Sequence, residues 1–280
     1  MTPTGQRSRT AERTWFVTGA SRGLGRAFVE AALEAGERII GVARDVTPLD
    51  DLRARFPERL HAFPLDVTDR DEVLAGVQRA FDVYGRLDVV VNNAGQMLYG
   101  MLEEVTEEQA RRHMDVNFFG PLWVCQAVVP LMREQGSGHI VQVATVGSFG
   151  GFSCVGMYSA GKTALDSISE ALALEVEEFG IKVTVLQPTS YDTELFTRGT
   201  TATEEHPAYA GLRARLTQMW SGVQDPPPAK AAPVLMELLD LEKPPRRLAV
   251  GGYSHELAAQ AEDARRAEAE AWKELSRKGD

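Results

Sequence analysis

Short apolar runs punctuated by glycine, asparagine and proline alternate along this chain with longer stretches whose apolar positions recur at helical spacing. The short runs predict strands at Trp15–Thr18, Arg38–Ala43, Leu60–Pro64, Asp88–Asn92, His139–Ala144, Lys182–Gln187 and, in a weaker pattern, Arg247–Val250. Most lack strict apolar–polar alternation, as strands buried on both faces do. The longer stretches, about Leu24–Ala35, Asp69–Tyr84, Glu107–Arg133 and Ser159–Phe179, predict amphipathic helices. Strand and helix in alternation imply an α/β fold, a parallel sheet of about seven strands with helices on both faces. One domain over 14–255 accounts for this rhythm. The segment at about 193–229 breaks it, being rich in Thr, Gly and Pro and closing on Pro226–Pro228, so it reads as an insertion or lid. Residues 1–13 read as a loose polar tail. Residues 256–280, entered from Ser254, read as a charged, alanine-rich helix for packing or assembly.

Composition narrows the field. At 280 residues, 44% hydrophobic and 25% charged, the chain is an ordinary globular one that needs no disulfide or metal staple. Its two cysteines, Cys125 and Cys154, have no metal or redox spacing, which points to a reducing, cytoplasmic setting and no metal site. Thirty basic against forty acidic residues give a net charge of −10, which repels nucleic acid, so any bound anion must be met by local groups. The first residues lack the apolar run of an export signal. The longest apolar stretch, Phe118 to Met132, is interrupted by Pro121 and Gln126 and is too short to span a bilayer, so no membrane partner is expected.

The first strand runs into Thr18-Gly19-Ala20-Ser21-Arg22-Gly23-Leu24-Gly25 and then an apolar helix. Such a turn brings backbone N–H groups and a positive helix end close to a pyrophosphate. A turn that needs glycine for its shape alone is the bland reading of the same residues. At the end of the second strand stands Ala43-Arg44, where an acidic residue would hold a ribose hydroxyl and an arginine would pair with a 2′-phosphate. Arg44 and Arg22 together favour NADP(H) over NAD(H), against the alternative that both are solvated surface charges. Tyr158 and Lys162, four residues apart, share a helix face, so an ammonium beside the phenol would favour its ionised form. A phenol so placed can stabilise and protonate an oxygen on which hydride transfer builds charge.

Thr18–Gly25, Asp66-Val67, Asn92-Asn93-Ala94-Gly95, Asn117 and Tyr158-x-x-x-Lys162 occur in an order and spacing that resemble the short-chain dehydrogenase/reductase family, over about Trp15 to Pro188. The resemblance implies a single-domain, Rossmann-type, doubly wound sheet with a nicotinamide cofactor across its carboxyl edge. It implies Asp66 and Val67 at the adenine, Asn93, Ala94 and Gly95 beside the adenosine and the strand ends, and Asn117 supporting the lysine through a water. It also implies Lys162 on the nicotinamide ribose, Pro188 beside the nicotinamide and Thr193 at its carboxamide. Two positions depart from the pattern. Thr145 and Ala144 stand where the family usually has serines, and Thr189 stands where it often has glycine. Threonine keeps the donor and acceptor of serine but restricts χ1, so Thr145 is the expected hydroxyl, with Ser148 or a weakened site as alternatives.

The resulting expectation is an NADP(H)-dependent carbonyl reductase or alcohol dehydrogenase acting on a medium-sized hydrophobic ketone, aldehyde or alcohol. Phe149, Phe152, Phe196, Tyr209 and Trp220 are candidates for an apolar wall or for packing beneath a loop; Tyr191 is open between the same two roles. A nucleotide-bound sensor or interaction protein with weakened chemistry is the alternative from another class. The extended epimerase or dehydratase branch has a different glycine spacing. The apolar faces of Glu107–Arg133 and Ser159–Phe179 suggest a homodimer or homotetramer.

Overall fold

The computed structural model describes residues 12–222 and 224–280. Strands β1 (Thr14–Thr18), β2 (Arg38–Ala43), β3 (Leu60–Pro64), β4 (Val89–Asn92), β6 (Gly138–Val143), β7 (Ile181–Pro188) and β9 (Arg247–Val250) form one sheet, in the order β3-β2-β1-β4-β6-β7-β9. Every adjacent pair is parallel. A strand's side chains point alternately to its two faces, and β1 uses both. Trp15 and Val17 join one core with Phe28, Leu33 and Leu235, while Phe16 joins the other with Val77, Val124 and Met132. The first core is covered by α1 (Gly23–Glu34) and α8 (Ala232–Asp240), the second by α3 (Arg70–Tyr84) and α5 (Gly120–Gln135). The chain is therefore a single-domain, doubly wound α/β fold of the Rossmann type.

The order reverses at β1, which has β2 on one side and β4 on the other. Connections leave β1 and β4 toward opposite faces there, and the crevice between them is where such sheets bind ligands.

All seven predicted strands are present, three with the predicted bounds. The single helix expected over Glu107–Arg133 is instead α4 (Glu107–Met114), a π-helical turn over Asp115–Phe119 and α5. The backbone stays helical but widens by one residue at that turn, just ahead of Pro121, whose ring has no N–H to donate. The helix predicted at Ser159–Phe179 begins earlier, as α6 (Gly156–Glu175), and ends in a 3₁₀ turn at Glu177–Phe179. Elements without a clear sequence signal are α2 (Asp50–Arg55), α7 (Ala210–Trp220), α8, and a two-stranded parallel pair of β5 (Met97–Tyr99) with β8 (Thr200–Ala202). That pair ties the insertion to the loop after β4. The expected N-terminal tail lies outside the described residues up to 11; its last residue, Arg13, is not loose. Arg13 pairs with Glu37 at 2.8 Å and Asp240 at 2.9 Å. At the other end, α9 (Gly252–Ala271) and α10 (Lys273–Ser276) follow β9. No helix among the described residues is long and apolar enough to cross a membrane.

Candidate active site

Gly19 and Gly23, with φ of +61° and +52°, take the left-handed conformation that turns β1 into α1. Gly25 has another reason to be glycine: a Cβ there would lie 2.2 Å from the Gly19 carbonyl oxygen and 2.4 Å from Asn93 Nδ2. The crevice is bolted at this point. Thr18 Oγ1 accepts the N–H groups of Asn93 and Ala94, both at 3.0 Å, and Asn93 Nδ2 donates to the carbonyls of Thr18 and Gly19, both at 3.1 Å. Asn93 thus spends its amide on holding the ends of β1 and β4 together. The N-terminus of α1 has no side-chain cap and no acidic residue in its first turn, so its electrostatics suit an anion.

Arg44 is exposed on the crevice wall at the end of β2. Arg22 reaches the same region but faces two carboxylates that sequence reasoning overlooked, Asp45 at 3.7 Å and Glu194 at 3.5 Å. Asp45 is held below the usual carboxylate range by the Thr47 hydroxyl and N–H, with Arg22 adding to this. Asp66 Oδ1 accepts the Thr68 N–H at 3.0 Å and hydroxyl at 2.8 Å, which sets its carboxylate at the crevice edge.

At the other end, Tyr158 and Lys162 share one face in the first half of α6, and both are buried. Lys162 Nζ donates to the Val143 carbonyl at 2.8 Å. Burial pulls its pKa down to about 8, opposed by the nearby charge of Asp166. Burial pushes the Tyr158 phenol up, opposed by a hydrogen bond with Thr145. Lys162 Nζ, for its part, is aimed at the carbonyl edge of β6. The Thr145 hydroxyl accepts the Gly147 N–H at 3.2 Å as it caps the turn after β6. Its rival Ser148 faces inward, donating to the Thr145 carbonyl at 2.8 Å and accepting from Gln187 at 3.1 Å.

Asn117 sits in the π-helical turn, fully buried. Its amide nitrogen donates to the carbonyls of Gln96 at 3.0 Å and His113 at 3.1 Å, and its oxygen accepts the Gln96 N–H at 3.3 Å. That oxygen would lie 3.1 Å, and Lys162 Nζ 3.3 Å, from a Cβ placed on Gly95, so Gly95 leaves room for both groups. His113, which sequence reasoning missed, packs edge-on to Tyr158 with ring centres 6.1 Å apart. Burial and the Lys162 charge lower its pKa to about 4, so it is a neutral wall rather than an acid.

These two ends open into one cleft of about 870 Å³. Every site residue predicted from the sequence lines it except Gly25 and Asn117, which lie behind the lining. Pro188 and Thr193 border it after β7; Thr193 also abuts Gly23. Of the aromatics singled out, Phe152, Phe196 and Trp220 reach the cleft, with Tyr191 beside them; Phe149 and Tyr209 do not. Tyr99 and Tyr253 line it unforeseen. The insertion is held over the cleft by the buried carboxylate of Glu104. It pairs with Arg213 and accepts Thr203 Oγ1 at 2.8 Å, the His206 N–H at 2.9 Å and the Met101 N–H at 2.8 Å. Arg213 above all, with those donors, holds its pKa down at about 2. Among the described residues, no group of three His, Cys, Asp or Glu side chains is placed to hold a metal ion.

A family model described as short chain dehydrogenase matches residues 13–204. An oxidoreductase of Botryotinia fuckeliana is 37% identical over 268 residues, covering 94% of this chain and 98% of the relative. A 3-ketodihydrosphingosine reductase of Bacteroides thetaiotaomicron is 37% identical over 178 residues, 64% of each chain. Among solved structures, a short-chain dehydrogenase from Streptomyces avermitilis superposes with a TM-score of 0.89 at 43% identity, covering 97% of this chain and 99% of that one.

Proposed function

This chain belongs to the short-chain dehydrogenase/reductase family of oxidoreductases, and on that footing we propose that it moves a hydride between NADP(H) and the carbonyl or alcohol carbon of a medium-sized hydrophobic substrate. The observation that carries the proposal is the buried Tyr158 phenol, set beside Thr145 and Lys162 and opening onto a cleft that also receives the glycine turn. A dinucleotide fits the residues present. The left-handed Gly19 and Gly23 and the uncapped start of α1 suit its pyrophosphate, and Asp66 and Val67 flank the place for its adenine. When bound, the nicotinamide supplies or accepts the hydride.

The chain's own groups do the rest. Thr145 and Tyr158 hydrogen-bond the substrate oxygen, and Tyr158 gives it a proton as charge develops there in the direction of reduction. Lys162, anchored on Val143, supplies a fixed positive charge below pH of about 8 and a donor for the cofactor ribose. Asn117 holds the backbone of Gln96 against the π-helical turn and so positions the floor under Lys162. Phe152, Tyr191 and Trp220 exclude water around an apolar substrate body. The Bacteroides relative is named for reducing a ketone, in keeping with that direction.

Arg44 carries the preference for NADP(H), because Arg22 shares its charge with Asp45 and Glu194. Charged hydrogen bonds to a 2′-phosphate are worth about 1.5–3 kcal/mol, or roughly tenfold to a hundredfold in affinity. Cytoplasmic residence is part of the reading, supported by two buried free thiols. The deciding experiment is NADPH and NADH oxidation across a panel of aldehydes and ketones, with Tyr158→Phe as control. Turnover that prefers NADPH and vanishes in the variant is expected; an NADPH-to-NADH ratio unmoved by Arg44→Ala would sink the cofactor assignment. Binding without turnover on every substrate would favour the sensor alternative.

A further inference from the structure

Behind the turn that carries Thr145 runs a line of buried polar groups that proton transfer does not use. Asp166 lies one helical turn beyond Lys162 on the same face of α6 and is 4% exposed. Its Oδ2 accepts Gln187 Nε2 at 2.6 Å. The same amide nitrogen donates to Ser148 Oγ at 3.1 Å, and Ser148 Oγ donates onward to the Thr145 carbonyl at 2.8 Å. Gln187 is itself fixed in β7, its backbone carbonyl accepting Ser254 Oγ at 2.6 Å. Among the described residues the other carboxylate oxygen, Asp166 Oδ1, has no hydrogen-bond partner, and burial pushes the carboxyl's pKa up against the opposing effect of the Ser148 and Gln187 side chains. Burying a carboxylate with an unsatisfied oxygen is unfavourable, and an apolar side chain of that volume would fill the space with less loss. The line ends at the residue that replaces the family's usual serine.

Threonine makes that ending matter. Its Cβ carries a hydroxyl and a methyl, and which of them faces the cleft depends on how the backbone presents Cβ and on a restricted χ1. Thr145 has extended backbone, with φ −166° and ψ 159°, and its two Cβ substituents both lie near Gly147. A bond to its carbonyl restrains the peptide plane on which the hydroxyl's direction depends.

We propose that Asp166 is a positioning residue of this site: through Gln187 and Ser148 it fixes the Thr145 carbonyl and thereby keeps the Thr145 hydroxyl, rather than the methyl, toward Tyr158. This rests on the reading of Thr145 as the group that holds the substrate oxygen. Ser148 then acts from behind the site, through Thr145.

The test breaks the line at separate links. Asp166→Ala and Ser148→Ala remove an end and a middle member, Gln187→Leu removes the donor, and Asp166→Asn keeps an acceptor for Gln187. Two readouts are compared: kcat and KM on the best-reduced carbonyl, and the Thr145 methyl resonance in cofactor-free protein with labelled threonine, assigned through Thr145→Ser. Asp166→Ala and Ser148→Ala are expected to lower kcat about tenfold, with NADPH affinity within about twofold of the parent, because a misdirected donor loses transition-state binding and little else. The Thr145 methyl resonance moves in both, and Asp166→Asn restores kcat and resonance together. Folded alanine variants with parental kcat, or with an unmoved Thr145 resonance, overturn the proposal. If Asp166→Ala does not fold, Ser148→Ala and Gln187→Leu decide by the same two readouts. If the parent reduces nothing, the catalytic reading fails, while the resonance still decides whether Asp166 positions Thr145.

Discussion

Replacing Lys162 by methionine isolates the energetic consequence of burying an ammonium under the cleft. The side chain is 3% exposed and its pKa falls from 10.5 to about 8. At about 1.4 kcal/mol per tenfold change in proton affinity, holding the charged form in the fold costs about 3 kcal/mol at neutral pH. The folded value lies below the unfolded one, so the unfolded chain binds the proton more tightly. Stability is therefore fully present above 10.5 and is lost as pH falls through about 8. Between pH 7 and about 9.5 the parent should gain about 2 kcal/mol relative to Lys162→Met, because the methionine has no proton to exchange. Comparing the two proteins cancels the other titrating groups, and comparing the two pH values cancels much of the packing difference and the lost bond to Val143. The assay is urea unfolding of both cofactor-free proteins at both pH values, read as the change in their stability difference. A change below about 0.5 kcal/mol, or one of opposite sign, would refute the reasoning, because it would mean that Lys162 is solvated or otherwise paired in the fold. The variant should also lose turnover at every pH.

Tyr158→Phe should bind NADPH as the parent does and lose about 10²- to 10⁴-fold in kcat, measured by single-turnover absorbance at the nicotinamide band. Gly25→Ala places a methyl 2.2 Å from a backbone oxygen, so it should destabilise the fold by about 1–3 kcal/mol and weaken nucleotide binding in thermal-shift titrations. Glu104→Ala should release the insertion, seen as faster limited proteolysis within 193–222, with NADPH affinity unaltered. The Glu104 pKa of about 2 adds a pH signature: its contribution to stability is present above about 4.5 and disappears as pH falls through about 2, and Glu104→Gln should remove that dependence. Light scattering should give a homodimer or homotetramer joined through α5 and α6, where Leu174 is 60% exposed; a monomer at assay concentration would remove that assignment.

Much of the fold was legible because both levels of order were local. Buried parallel strands announce themselves as β-rich apolar runs, and the covering helices by their periodicity, so the bounds of Arg38–Ala43, Leu60–Pro64 and Arg247–Val250 agree with the structure. The elements that escaped are short or depend on distant partners. Met97–Tyr99 is a strand only because Thr200–Ala202, about a hundred residues later, lies beside it. The π-helical turn at Asn117 is invisible to periodicity, since one extra residue leaves the apolar pattern almost unchanged.

At the site, the sequence by itself determined which residue types were available and which shared an element: a glycine turn between strand and helix, and a phenol and an ammonium one helical turn apart. Those follow from chain geometry within a few residues. Only the tertiary structure decided their electrical state and their company. Burial pushes the Tyr158 phenol up and the Lys162 ammonium down; Asp45 and Glu194 share Arg22; and Ser148 turns inward to Gln187 instead of toward the cleft. Desolvation and hydrogen-bond direction depend on what the rest of the fold packs against a group, and that information is spread over residues far apart in the chain.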